Sequence, residues 1–340
     1  MCKKITLFAA VISICLSSLI SCKKNQSAET YFESMNTFMK VQAYGENAAE
    51  ANEVAQKYIS ELEATISVTK PISDIYKINH ATSFPVTVTE QTMRLINLAL
   101  HMSEISGGAF NPCLYPVSSA WGFTKKAYRV PPQEEIDEKL KLCDYTKVRT
   151  EGNQIWMDEG MQFDLGGIGK GFAGDEAAKK MKEYGVESAL LDLGGNIQLI
   201  GSKPNGKPWT VGIKNPFDKN TIVGQLKAED VAIITSAGYE RYFEENGHKY
   251  IHIFDGTTGA PVENDLVSTT AIASSGTYCD GLSTTLYVLG LEKSIELWKS
   301  QKDFDFIMIT QDKKIYISKP IAKNFILNGD LPGFEVIIVK

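Results

Sequence analysis

Bulky apolar residues recur at Val54, Tyr58, Leu62 and Ile66, every fourth position, which predicts an amphipathic helix over residues 46–66. A second helix follows Thr89, a side chain suited to capping, with its stripe at Leu95, Leu98, Met102 and Ile105 and its stop at Gly107-Gly108. Residues 132–142 read as a surface helix. Short apolar runs rich in β-branched and aromatic residues predict strands over 32–41, 188–193, 209–213, 231–236, 249–254, 267–273, 304–310, 314–318 and 334–339. Two more helices fall at 279–289 and 292–301. The run 109–117, with two prolines and clustered aromatics and followed by Trp121-Gly122-Phe123, predicts an ordered loop. Strands interrupted by helices without strict alternation make the expected fold class α+β.

The first residues break this pattern. Lys3 and Lys4 precede an apolar run that ends in Leu19-Ile20-Ser21-Cys22, the layout of an export signal over 1–21. A cysteine directly after the cut resembles the bacterial lipoprotein box, which implies acylation at Cys22; an ordinary signal peptide with an incidental cysteine is the alternative. Residues 22–30 are polar and read as a flexible tether, which leaves 31–340 as the folded unit. The expected location is the bacterial cell envelope, on a lipid anchor, facing the periplasm or exterior. Cys113, Cys143 and Cys279 are an odd, scattered set that implies no disulfide framework. A length of 340 residues, 43% hydrophobic, suits one large or two interlocked domains, and a formal charge of −6 gives no electrostatic case for nucleic acid.

The chemistry concentrates at Asp164-Leu-Gly-Gly-Ile-Gly-Lys-Gly-Phe-Ala-Gly-Asp, five glycines in twelve residues feeding a helix. Free N–H groups at such a helix start favour an anion, though a tight strand-to-helix turn satisfies the same pattern. The spacing matches neither a Walker-type phosphate loop nor a dinucleotide fingerprint. Asp280, Ser283 and Thr284 stand at i, i+3 and i+4 and share one helix face. They offer oxygen alone, the preference of a hard cation such as Mg²⁺. A helix start capped by Asp280 is the competing explanation. His252 sits in an expected strand with Tyr250 and Phe254 on its own face. It reads either as a general base or as a structural histidine.

Five blocks occur in order: Asp164-Leu-Gly-Gly-Ile-Gly-Lys-Gly, Leu193-Gly-Gly-Asn-Ile, Ser236-Ala-Gly-Tyr-Glu-Arg, His252-Ile-Phe-Asp-Gly-Thr-Thr-Gly-Ala-Pro and Cys279-Asp-Gly-Leu-Ser-Thr. Together they resemble the bacterial ApbE family of FAD:protein FMN transferases, over residues 35–289. The resemblance implies an α+β fold with a tunnelling-fold-like core and an Mg²⁺-dependent enzyme. Such an enzyme cleaves FAD and places FMN on a threonine or serine of a target flavoprotein. It assigns Mg²⁺ to Asp280, Ser283, Thr284 and the carbonyl of Gly167. FAD contacts fall on Met35, Thr69, Ala109, Phe110, Asn111, Asp164, Lys170 and the backbone of Ile253, and His252 takes the place of the base. Two blocks depart from the family pattern: Phe110-Asn111 stands for phenylalanine-aspartate, and Met35-Asn36-Thr37 for Met-Gly-Thr. The alternatives are an FAD pyrophosphatase, which needs the same metal site, and a flavin-binding lipoprotein without turnover.

Overall fold

The computed structural model describes residues 26–340 apart from Asp330; the export signal, Cys22 and the start of the tether lie outside them. Among the described residues, nine strands form one sheet and lie side by side in chain order. They are β1 (Ser27–Ser34), β2 (Thr37–Tyr44), β3 (Ser188–Asp192), β4 (Asn196–Ile200), β5 (Ala232–Ala237), β6 (Leu266–Ala273), β7 (Asp305–Thr310), β8 (Lys314–Ser318) and β9 (Glu335–Val339). Every neighbouring pair is antiparallel except β8 and β9. Helices and strands mix without βαβ alternation, so the α+β expectation holds.

The expected strand over 32–41 is instead a hairpin. The chain reverses at Met35-Asn36, both with positive φ (50° and 59°), and the Ser34–Thr37 pair closes the turn. Two central residues at φ > 0 define the tight turn that matches strand twist. Asn36 suits it, while Met35 is an unusual occupant that hides the turn in the sequence. The flexible tether is also shorter than expected. Ser27 to Thr30 pair with Tyr44 to Val41 as part of β1, so the folded unit reaches back past residue 31. The polar composition there reflects a sheet edge rather than disorder.

Four long helices pack on one face: α1 (Ala48–Ile66), α2 (Glu90–Ile105), α3 (Gly169–Glu183) and α4 (Gly276–Gln301). Thr89 caps α2 as expected, accepting the Thr92 N–H. The buried faces are rotated from those the bulky residues suggest. In α1, Ala48, Ala51, Ala55, Ile59 and Leu62 face inward, whereas Val54 and Tyr58 are half-buried. In α2 the expected Leu95 and Met102 are buried, joined by Met93, Ile96 and Ala99, while Leu98 is exposed. The two helices expected at 279–289 and 292–301 are one element with a break at Gly290 (φ 75°, ψ 176°), and it begins earlier, with Ser275 as its cap.

The sheet is covered on both sides. Ala232, Ile234, Ala271, Phe306 and Met308 point to the helices. Their neighbours Ile233, Ile272, Ile307 and Ile309 point to a small sheet built from Trp209–Asn215, Asp218–Ala228 and Phe325–Leu327. This second cover explains why β6 and β7 read as continuous apolar runs. The strand expected at 249–254 is short (His248–Ile251), and His252 lies just beyond it.

Candidate active site

The glycine stretch opens α3, and its first turn packs against the start of α4. A Cβ on Gly171 would lie 2.1 Å from the Gly276 carbonyl oxygen and 2.7 Å from Asp280 Cβ, so only glycine allows this approach. Both acids at the contact bind across it. Asp175 accepts hydrogen bonds from Gly276 N (2.6 Å), Thr277 N (2.8 Å), Thr277 Oγ1 (2.7 Å) and Ser275 Oγ (2.8 Å). Asp280 accepts the Gly171 N–H at 2.8 Å. Asp280 therefore caps the neighbouring helix rather than its own, whose start Ser275 and Asp175 hold. Asp175 was not singled out in the sequence, although its place at the end of the glycine stretch was the available signal.

This arrangement corrects the picture of a loop whose amides await a phosphate. The Gly166 N–H is bound by Asp164 Oδ1 (2.8 Å), Gly169 N by Leu165 O, and Gly171 N by Asp280. Anion recognition at this loop thus falls largely to side chains. Lys170 is the obvious one: its Nζ is 3.0 Å from Asn196 Oδ1, and its charge is felt by both Asp280 and His252. The turn Gly194-Gly195 brings Asn196 there. Gly194 (φ 72°) packs so closely on Thr37 that a Cβ would lie 2.2 Å from Thr37 Oγ1.

Asp280 is buried, and burial raises its pKa; Lys170, the Gly171 N–H and the Asn196 amide oppose that shift. Ser283 and Thr284 follow on the same helix, and both meet Ser236 of β5, at 2.8 Å and 3.2 Å. Ser283 is wholly buried and also bonds to the Asp280 carbonyl (2.9 Å). The half-buried Thr284 lies next to Gly167, whose Cβ position is 3.8 Å from Thr284 Oγ1. Asp280 and Thr284 thus lie one helical turn apart on α4 with Gly167 beside Thr284, while Ser283 is buried against Ser236. Among the described residues no three of His, Cys, Asp and Glu gather as a metal cluster. One carboxylate with neutral oxygens suits a hard cation that keeps waters and leans on substrate phosphates, so these residues fit Mg²⁺.

His252 Nδ1 lies 3.0 Å from the Arg241 carbonyl, which can only accept. Nδ1 therefore carries the proton and Nε2 is left as the basic atom. Burial first, then the charges of Arg241 and Lys170, pull its pKa from 6.5 to about 4, so the ring is neutral at pH 7. Asp164 is drawn upward by burial, against the Gly166 N–H and the Arg241 charge. Phe110 packs on Gly167, whose Cβ position is 3.1 Å from its ring. Asn111 is committed to the backbone: its amide donates to the Cys143 carbonyl and its oxygen accepts the Cys113 N–H, both at 2.8 Å. An asparagine can hold both groups, whereas an ionised aspartate could not donate. Ala109 leads into Phe110 from the end of α2, and the Ile253 carbonyl accepts the Val262 N–H. Met35 and Thr69 come from other segments. Met35 is in the hairpin turn, and Thr69 is exposed beside Ser67 and three residues beyond Ile66, which touches Gly169.

A buried carboxylate, two hydroxyls, a lysine and a neutral histidine thus stand around the glycine stretch. The ApbE family model matches residues 35–308, and the chain belongs to the ApbE family. It is 32% identical to an FAD:protein FMN transferase of Klebsiella pneumoniae (strain 342), over 86% of this chain and 92% of that one. It is 33% identical to one of Treponema pallidum (strain Nichols), over 85% and 86%. Among solved structures, the ApbE protein of Thermotoga maritima superposes with a TM-score of 0.83 at 29% identity, covering 88% of this chain and 99% of that one. The flavin transferase ApbE of Vibrio cholerae gives 0.80 at 26%, with the same coverage.

Proposed function

We propose that this enzyme moves FMN from FAD to a threonine or serine hydroxyl of an exported or membrane redox protein and releases AMP. The observation that carries the reading is the meeting of Asp280, Thr284, Lys170 and a neutral His252 around the glycine stretch. Asp280, Thr284 and the Gly167 carbonyl would hold Mg²⁺, which supplies Lewis acidity at the pyrophosphate. Lys170 offsets phosphate charge. His252 Nε2 takes the proton of the incoming hydroxyl as its oxygen forms the new bond to the FMN phosphorus. The bond from that phosphorus to the AMP oxygen breaks in line, and AMP departs. Positioning and charge stabilisation carry most of such a transfer.

The test supplies FAD and Mg²⁺ with and without a protein or peptide bearing an acceptor threonine. The expected result is a stable flavin–acceptor adduct with one AMP per adduct, and loss of both products in Asp280→Ala. Rapid AMP release that the acceptor never captures would make the chain an FAD pyrophosphatase. FAD binding with neither product would leave a flavin carrier. The same reading acylates Cys22 and holds the protein at the bacterial cell envelope. No helix among the described residues is long and apolar enough to cross a membrane.

A further inference from the structure

Ser236 opens the Ser236-Ala-Gly-Tyr-Glu-Arg block on β5, facing α4, and carries no role in the site described so far. Its hydroxyl lies 2.8 Å from Ser283 Oγ and 3.2 Å from Thr284 Oγ1. The direction of each proton follows from simple counting. Ser283 Oγ is 2.9 Å from the Asp280 carbonyl, which only accepts, so the one Ser283 proton goes there. The Ser236–Ser283 contact then requires Ser236 to donate. With its own proton spent, Ser236 can only accept from Thr284. The chain of donation runs from Thr284 through Ser236 and Ser283 to the Asp280 backbone, and each hydroxyl has one place for its hydrogen.

From this we infer that Ser236 is a positioning residue for the cation site: it takes the Thr284 proton and so turns the Thr284 lone pairs outward. A hydroxyl ligates a cation through oxygen, and a hydrogen aimed at the cation would oppose binding. Two further contacts fix Ser236 itself. Its residue pairs with Thr269 across β5 and β6, and Thr269 Oγ1 donates to the Ser283 carbonyl at 2.7 Å. Sheet and helix are thereby registered at the level of the hydroxyls. Partners one step behind a metal ligand commonly change affinity by about 10–100-fold when removed.

The inference rests on the proposed metal site, and the experiment separates the two. Mn²⁺, another hard cation that takes oxygen ligands, is titrated into the full chain, and free Mn²⁺ is read by electron paramagnetic resonance. Affinity is compared for the parent, Ser236→Thr, Ser236→Val, Ser236→Ala and Asp280→Ala, with folding checked by circular dichroism in EDTA. Threonine and valine have nearly one shape and differ in the oxygen. The expected result is Ser236→Thr within about threefold of the parent, with Ser236→Val and Ser236→Ala about 10–100-fold weaker. Should Ser236→Val fail to fold, Ser236→Ala carries the comparison. Equal affinity in the threonine variant and the variants lacking the oxygen would overturn the role of Ser236, while a loss confined to Asp280→Ala would leave the metal site standing. Undiminished binding in Asp280→Ala would overturn the metal site and this inference with it.

Discussion

His252 offers a prediction with a definite sign. An ordinary histidine titrates near 6.5, whereas burial and the charges of Arg241 and Lys170 bring this one to about 4. At pH 5.5 a pKa of 4 leaves about 97% of the ring neutral, whereas a pKa of 6.5 would leave about 9%. If Nε2 accepts the proton of the acceptor hydroxyl, transfer should be nearly flat from pH 7.5 to 5.5 and decline only towards pH 4. The assay is the initial rate of flavinylation at subsaturating FAD, because kcat/KM reports the free enzyme. His252→Asn should lower transfer by roughly 10²–10⁴-fold, the usual worth of a positioned base. It should lower FAD hydrolysis less, since water reaches phosphorus in many orientations. An inflection near pH 6.5 in the parent, absent from His252→Asn, would show that the ring titrates as if exposed and refute the electrostatic argument. Unchanged flavinylation in the variant would make His252 structural. Stability carries the same sign. The unfolded chain binds the proton below about 6.5 and the folded chain only below about 4, so stability falls as pH drops through that window. The gap corresponds to about 3 kcal/mol at most, reduced by the partial exposure of the ring.

Gly171→Ala should unfold at markedly lower temperature, because its Cβ meets backbone that cannot rotate away; a cost beyond about 1–3 kcal/mol is expected by thermal denaturation, and an unchanged midpoint would contradict the close contact. Asp175→Ala strips four hydrogen bonds from the start of α4 and should cost about 2–4 kcal/mol in a urea titration, while Asp175→Asn should recover part of it. Cys22→Ser should move the protein from the membrane fraction to the soluble fraction, and unaltered fractionation would end the lipoprotein reading.

The chemistry was more legible in the sequence than the architecture that holds it. Asp280, Thr284, Lys170 and His252 stand out in the sequence by residue type and spacing, and the fold sets Lys170 within electrostatic reach of both Asp280 and His252. Ser283 shared the helix face by spacing, but spacing does not show which oxygen a facing strand will claim. The Gly171 amide looked free because its partner, Asp280, lies 109 residues away in the chain. The hairpin at Met35-Asn36 was missed because methionine gives no turn signal. The inward faces of α1 and α2 were read in part: Leu62, Leu95 and Met102 are buried as expected, but the alanines beside them, weak markers in a periodicity, shift the faces away from Val54 and Leu98. In the small covering sheet the strand at Trp209–Asn215 was expected, whereas Asp218–Ala228 carries many polar residues and gave little sign of itself.

The strand register also sets a direction. Tyr31, Lys40, Asp192, Ile197, Ile233 and Ile272 form one row across the sheet. The chain enters at Ser27, four residues to one side of that row, and Ser236 lies three residues to the other. At about 3.3 Å per residue, entry and chemistry stand about 23 Å apart along the strands. The segment before β1 therefore joins the sheet at the end away from Ser236. Were Cys22 acylated as proposed, the anchored end and the chemistry would lie at opposite ends of the strands, and the proposed acceptor hydroxyl would be met at the end away from the anchor.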